Sequence, residues 1–171
     1  RRFQEEAAEL ITKDMEETKV LTLGPHDFVH ATSEFKKENW NHLEAQFFPS
    51  LVQEKIAKAY EVRSFFLDGR FFSQCIVAQS HRGNSPDYRE NARTGFLRMA
   101  PYQLPKATEQ KLTRLMDRLD LNCGSIDLAV NPDGEYIFFE VNPVGQIGFV
   151  SYESNYHLEF EIAQYIHKHV S

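Results

Sequence analysis

The dipeptide Asp68-Gly69 stands between the two most β-prone stretches of the chain, Glu61-Val62-Arg63-Ser64-Phe65-Phe66-Leu67 and Arg70-Phe71-Phe72-Ser73-Gln74-Cys75-Ile76-Val77-Ala78. A tight hairpin turn needs positive φ at its two central residues, which Asp and Gly tolerate, so the pattern predicts an antiparallel pair. A second hairpin is predicted from Ser125–Val130 and Glu135–Val141 around Asn131-Pro132-Asp133-Gly134. A sheet built from such strands must cover an apolar face. The helical stripe at Leu104, Ala107, Leu112, Leu115, Met116 and Leu119 predicts one covering helix over Lys106–Leu119, with Pro105 at a position that first turns tolerate. A closing helix over Leu158–His169 presents Leu158, Ile162, Tyr165 and Ile166. The expected class is α+β.

The rest of the chain is less patterned. Residues 1–11 read as the end of a helix, and the absence of an initiator Met suggests an excised piece. Short strands are expected at Ile11-Thr12-Lys13, Lys19–Leu23 and Asp27–Ala31, interrupted by Gly24-Pro25. A helix is expected over Glu34–Gln46, capped by Thr32 or Ser33 and stopped by Pro49, and then a strand at Leu51–Glu54. Residues 80–99 lack periodicity and carry Arg82, Arg89, Arg93 and Arg98, with Arg70 just before them. A polar loop of about twenty residues is usually functional or disordered.

Composition narrows the function classes. With 19 Lys and Arg against 25 Asp and Glu, the net charge of −6 argues against a nucleic-acid binder, which needs a basic surface. No run of about 18 apolar residues is present to span a bilayer, and the start, Arg1-Arg2-Phe3-Gln4-Glu5-Glu6, is too polar for a signal peptide. Cys75 and Cys123 lie far apart inside apolar stretches without a CxxC or a nearby His, as expected of buried thiols in a reducing, cytoplasmic setting. The seven histidines lack metal-ligand spacing apart from His167 and His169 on the final helix, which fit a solvated helix end favoured by the dipole. Fourteen Phe and seven Tyr, many in adjacent pairs, fit a sheet core better than a stacking surface.

Chemistry concentrates at the second hairpin. If its turn is the two-residue Asp133-Gly134, Asp127 falls directly opposite Glu140, with Asn142 next along the same face. Three hard oxygen donors suit Mg²⁺, and opposed carboxylates need something cationic near them. A type I turn with a glycine bulge would shift the register by one residue and separate the two carboxylates. Alternation alone also fits exposed surface groups, although both residues interrupt apolar runs, Ile126/Leu128 and Phe139/Val141. In the 80–99 loop, Arg89, Asn91, Arg93 and Arg98 suit phosphate oxygens. No Walker sequence or Rossmann turn is present.

These motifs in this order resemble the ATP-grasp superfamily, and within it the microviridin-type or graspetide ligases that mature ribosomal peptides. The resemblance rests on Phe47-Phe48-Pro49-Ser50-Leu51-Val52-Gln53-Glu54, Tyr60-Glu61-Val62-Arg63-Ser64-Phe65, Asp87-Tyr88-Arg89, Leu121–Leu128 and Phe139-Glu140-Val141-Asn142-Pro143-Val144-Gly145-Gln146, from about residue 10 to the end. It implies two antiparallel-sheet lobes with flanking helices enclosing a nucleotide cleft, with 1–54 in the small lobe and 55–171 in the large one. ATP and Mg²⁺ are the implied cofactors. Lys13 would reach the phosphates, Gln53-Glu54-Lys55-Ile56 would form the adenine hinge, and Glu61 would face the ribose. Arg63, Arg89 and Arg93, with Asn91, would face the phosphoryl group, and Asp127, Glu140 and Asn142 would be the metal ligands.

The implied reaction activates a carboxylate of a precursor peptide as an acyl phosphate, which a side-chain amine or hydroxyl then captures as an amide or ester. The implied partners are that precursor peptide and an N-terminal domain or partner chain, which members of the group carry and these residues lack. Neither nucleic acid nor membrane is expected, and a homodimer is left open. The competing expectations are a non-catalytic ATP-grasp-like binding module or truncated fragment, and an acidic α+β domain whose hairpin carboxylates are surface groups.

Overall fold

The computed structural model describes residues 10–13, 20–23, 26–29, 33–35, 51–78 and 97–170; for those up to residue 52, and for residue 78, the description is of backbone. The chain divides into two compact units. In the first, β1 (Leu10–Lys13) lies between β4 (Ser33–Phe35) and β5 (Leu51–Glu54), antiparallel to both, and β2 (Val20–Leu23) pairs with β3 (His26–Val29). Leu10 and Ile11 are therefore strand, not the end of a helix. Glu34 and Phe35 pair with β1 and cannot begin the expected helix, because tertiary pairing overrides a weak helical stripe. The remainder of that helix, residues 1–9 and the arginine-bearing stretch 79–96 lie outside the described residues.

The second unit is built on a five-stranded sheet in the order β10-β9-β6-β7-β8, from β6 (Tyr60–Leu67), β7 (Arg70–Ala78), β8 (Leu97–Tyr102), β9 (Cys123–Val130) and β10 (Tyr136–Asn142). The β6–β7 turn has φ of 46° at Asp68 and 82° at Gly69, as the two-residue hairpin requires. Strand β8 occupies what reads in sequence as the end of the polar loop. Its Pro101 hides the strand pattern, yet proline cannot donate to a ladder and is at home on an edge strand.

Strand alternation gives the sheet two unlike faces. On one, Val62, Phe66, Ile126, Leu128 and Val130 pack with Leu104 and with Leu112 and Met116 of helix α1 (Lys106–Arg118). Ala107 and Leu119, expected in this stripe, are exposed. On the other face, Phe65, Leu67 and Phe72 pack with Val150 of helix α2 (Gly148–Glu153) and Leu158 of helix α3 (Leu158–Val170). Ile162 and Tyr165 join this cluster, whereas Ile166 is exposed. Cys75 and Cys123 are free thiols, half-buried rather than buried. No helix among the described residues is long and apolar enough to cross a membrane.

Three phenols from three strands meet beside the α1 cluster. The hydroxyls of Tyr60 and Tyr102 lie 3.2 Å apart, and Tyr102 in turn bonds Tyr136. The bond to Tyr102, reinforced by burial, pushes the Tyr60 phenol up to about 12. A tyrosine held protonated above its ordinary value of 10 stabilises the fold fully below pH 10, and that contribution is lost as pH rises from 10 through 12. We expect wild-type stability, measured by urea titration, to fall across that window, and Tyr60→Phe to flatten the fall.

Candidate functional site

The β9–β10 turn is not the two-residue turn that would bring Asp127 opposite Glu140 directly. Gly134 N–H donates to Asn131 O at 3.0 Å, Asn131 N–H donates to Glu135 O at 3.1 Å, and Gly134 has φ of 82°. Asn131 Oδ1 also accepts from the backbone N–H groups of Asp133 (3.1 Å) and Glu135 (2.8 Å). This is a type I turn closed by a left-handed glycine, so the ladder starts with Tyr136 opposite Val130 and Phe138 opposite Leu128. Continued unbroken, that register would place Phe139 opposite Asp127 and Glu140 opposite Ile126, on the apolar face covered by α1. A bulge between Phe138 and Glu140 prevents this, and Glu140 pairs with Asp127, Val141 with Ile126 and Asn142 with Ser125. The expected pair forms through two successive irregularities that offset each other.

A patch of polar groups results on the face opposite α1. Arg63 stands opposite Gln74 on one side and Asp127 on the other, so Gln74, Arg63, Asp127 and Glu140 form one row across four strands. Arg63 Nη1 lies 3.6 Å from Asp127 Oδ2, an ion pair with both side chains largely shielded from water. Gln74 is fully buried and held at both ends: its Oε1 accepts from Ser154 Oγ at 2.8 Å and its Nε2 donates to Met99 Sδ at 3.2 Å. The neighbouring row runs Phe72, Phe65, Ser125, Asn142. Asn142 Oδ1 accepts from Val144 N–H at 3.0 Å, which fixes the orientation of the amide.

Like charges directly opposite each other on neighbouring strands are destabilising. One guanidinium beside Asp127 offsets part of this. Two carboxylates and an amide oxygen on one face, with Glu140 and Asn142 exposed, make a donor set that fits a small hard divalent cation. Among the described residues, no three His, Cys, Asp or Glu side chains form a metal-holding group, so the amide is needed to complete the set.

The other expected site residues are distributed as follows. Glu61 shares the face of Arg63, two residues earlier, and forms an ion pair with Lys58. Lys13 lies on β1 opposite Leu51, while Gln53 and Glu54 end β5 and are exposed; Lys55 and Ile56 follow and are half-buried. These belong to the first unit, whereas Glu61, Arg63, Asp127, Glu140 and Asn142 belong to the second. Arg89, Asn91 and Arg93 lie outside the described residues, and Arg98 is exposed on β8. Arg70 is bound to Glu161 of α3 at 2.5 Å and covers the Phe72 ring. Sequence reasoning passed over Gln74 and Ser125. Gln74 was signalled by an amide inside an otherwise apolar strand; a serine on the face of Asp127 carries no such signal.

No family model matches the sequence, and no curated protein does either. Solved structures do. The macrocyclase MdnC of Microcystis aeruginosa, bound with the precursor peptide MdnA, is 33% identical over 83% of this chain with a TM-score of 0.67. An ATP-grasp ligase of Chryseobacterium gregarium, in complex with ADP and a leader and core peptide, superposes over 85% of this chain with a TM-score of 0.76 at 22% identity. The ATP-grasp ligase PsnB with a minimal precursor superposes over 91%, with a TM-score of 0.64 at 17% identity. The last two similarities concern fold alone. This chain spans 41%, 44% and 47% of the three proteins respectively.

The bulge generates a test. Deleting Phe139 leaves a regular ladder in which Glu140 still follows Phe138 into the slot opposite Asp127. That variant should stay folded with a loss of no more than about 2 kcal/mol. Deleting Val141 instead moves Asn142 onto the apolar face opposite Ile126, and should cost about twice as much or abolish folding. Urea unfolding of the two deletion variants makes the comparison.

Proposed function

This chain has the ATP-grasp fold found in ligases that mature ribosomal peptides, and we propose that it supplies the nucleotide- and metal-binding region of such a carboxylate ligase. The observation that carries the reading is the placement of Asp127, Glu140 and Asn142 on one sheet face with Arg63 alongside. The similarity to MdnC at 33% identity supports the peptide-maturation branch. In this reading residues 1–54 form the small lobe and 55–171 the large one.

Lys13 would bind the phosphates of ATP, the backbone of Gln53-Glu54-Lys55-Ile56 would bind adenine, and Glu61 would accept from the ribose hydroxyls. Arg63, Arg89 and Arg93, with Asn91, would hold the γ-phosphoryl oxygens by charge-assisted hydrogen bonds. Asp127, Glu140 and Asn142 would hold Mg²⁺, which when bound neutralises the charge on the phosphates. The peptide carboxylate oxygen attacks the γ-phosphorus, the bond to the bridging oxygen breaks, and ADP leaves. An amine or hydroxyl of the same peptide then attacks the acyl carbon, and inorganic phosphate leaves as the amide or ester forms; the nucleophile's proton passes to phosphate or solvent. The chain's part in this is orientation and charge stabilisation, which needs no nucleophilic side chain. A reducing, cytoplasmic setting fits such a reaction.

Calorimetric titration of ATP with and without Mg²⁺ tests the reading. Wild type should bind at least about tenfold more tightly with Mg²⁺, and Glu140→Gln should lose most of that gain. Wild-type binding that ignores Mg²⁺ would sink the proposal. Binding without ADP release, in the presence of an acidic precursor peptide rich in Ser, Thr or Lys, would instead favour a non-catalytic module.

A further inference from the structure

Ser125 is 1% exposed, and its hydroxyl oxygen has no hydrogen-bond partner. Such a group carries a desolvation cost of about 1–3 kcal/mol, so its surroundings merit a physical reason. The residue pairs with Asn142 at the last rung of the β9–β10 ladder. Immediately afterwards the chain folds back: Gly145 N–H donates to Asn142 O at 3.1 Å, and Val144 N–H donates to Asn142 Oδ1. The fold-back sets Gly145 down on Ser125. A Cβ built on Gly145 would overlap both Cβ and Oγ of Ser125 and would come 3.1 Å from Asn142 O. Gly145 does not have positive φ, so close approach, and not backbone conformation, is what requires glycine here.

Resting on the metal site proposed above, we infer that Ser125 and Gly145 are a positioning pair for Asn142. The height at which Gly145 sits on Ser125 sets the path of the Asn142–Gly145 turn, and that turn aims the amide through Val144 N–H. Side-chain volume at 125 and 145, and not the polarity of the serine, then governs how well the donor set of Asp127, Glu140 and Asn142 holds a divalent cation. Groups that orient metal ligands without touching the metal commonly change affinity by about 10–100-fold when altered.

The experiment titrates Mn²⁺ into the full chain with ADP present, followed by electron paramagnetic resonance, with metal-free ADP affinity and thermal stability measured alongside. Gly145→Ala should raise half-saturating Mn²⁺ by about tenfold or more while metal-free ADP affinity stays put. Ser125→Gly should raise it by about three- to tenfold. The swap Ser125→Gly/Gly145→Ala, which moves the lost Cβ to the other side of the contact, should return it to within about threefold of wild type. Ser125→Ala removes the unpartnered oxygen but keeps the Cβ that lies against Gly145, and should shift the Mn²⁺ curve less than Ser125→Gly does.

A folded Gly145→Ala chain with wild-type Mn²⁺ affinity would overturn the inference. So would a swap no better than the single variant, or a parallel loss of metal-free ADP affinity in every variant. Should Gly145→Ala fail to fold, an unshifted Ser125→Gly curve overturns it equally. A wild type that binds no Mn²⁺ refutes the metal site itself, and is recognised before any variant is compared.

Discussion

How one extra residue is accommodated, as a bulge and not as a rung of the ladder, decides which side of the large sheet bears charge. Phe139, the bulged residue, lets β10 enter its ladder in the register dictated by a glycine-closed turn and leave it one step later. Without that step Glu140 would face Ile126 and the α1 core, where an ionised carboxylate costs several kcal/mol even after relaxation. With it, Val141 takes the apolar slot and Glu140 stands beside Asp127. A side-chain period of two makes any one-residue slip an exchange of faces, so turn and bulge must occur together.

Everything else in the second unit is arranged around the resulting contrast between faces. Helix α1 seals one side with Leu112 and Met116. Helices α2 and α3 cover only part of the other, over Phe65, Leu67 and Phe72. Farther along those strands the same face carries Arg63, Asp127 and Glu140, with Glu61 beyond them. Buried polar groups find partners on both faces: Gln74, in the row of Arg63, in Ser154 and Met99, and Ser64 and Ser73, on the face covered by α1, in each other at 2.6 Å. Such bonds add modestly to stability, but leaving a buried group without one is costly, so they define which arrangement of helices and sheet is tolerated.

The sequence was most informative where local chemistry has a single outcome. Asp68-Gly69 specified its hairpin because few residues accept two consecutive positive φ values, and the Leu112/Met116 spacing specified a covered helix face. It was least informative where two local solutions compete. Asn131-Pro132-Asp133-Gly134 supports either of two turns, and the one adopted is accompanied by Asn131 Oδ1 accepting from the N–H groups of Asp133 and Glu135, bonds that residue spacing does not announce. Pro101 disguised an edge strand as loop, and six residues from Gly148 to Glu153 are too few to display a helical period. At the site, Asp127, Glu140 and Asn142 were visible as polar interruptions of apolar strands. The serine beneath Gly145 was not, since a small polar residue next to a carboxylate looks like ordinary solvent-facing alternation.

The placement of β6 between β7 and β9 has an evolutionary consequence. Strand β6 meets β7 across two residues, while β9 arrives only after the arginine-bearing stretch, β8 and α1 have been traversed. Closing a longer connection costs only about 0.6 kcal/mol for each doubling of its length. The stretch between β7 and β8 can therefore lengthen, shorten or exchange residues at little expense to the sheet that carries Asp127 and Glu140. The length of that stretch can change while Arg63, Asp127 and Glu140 keep their register, so the connection and the polar row are free to evolve independently.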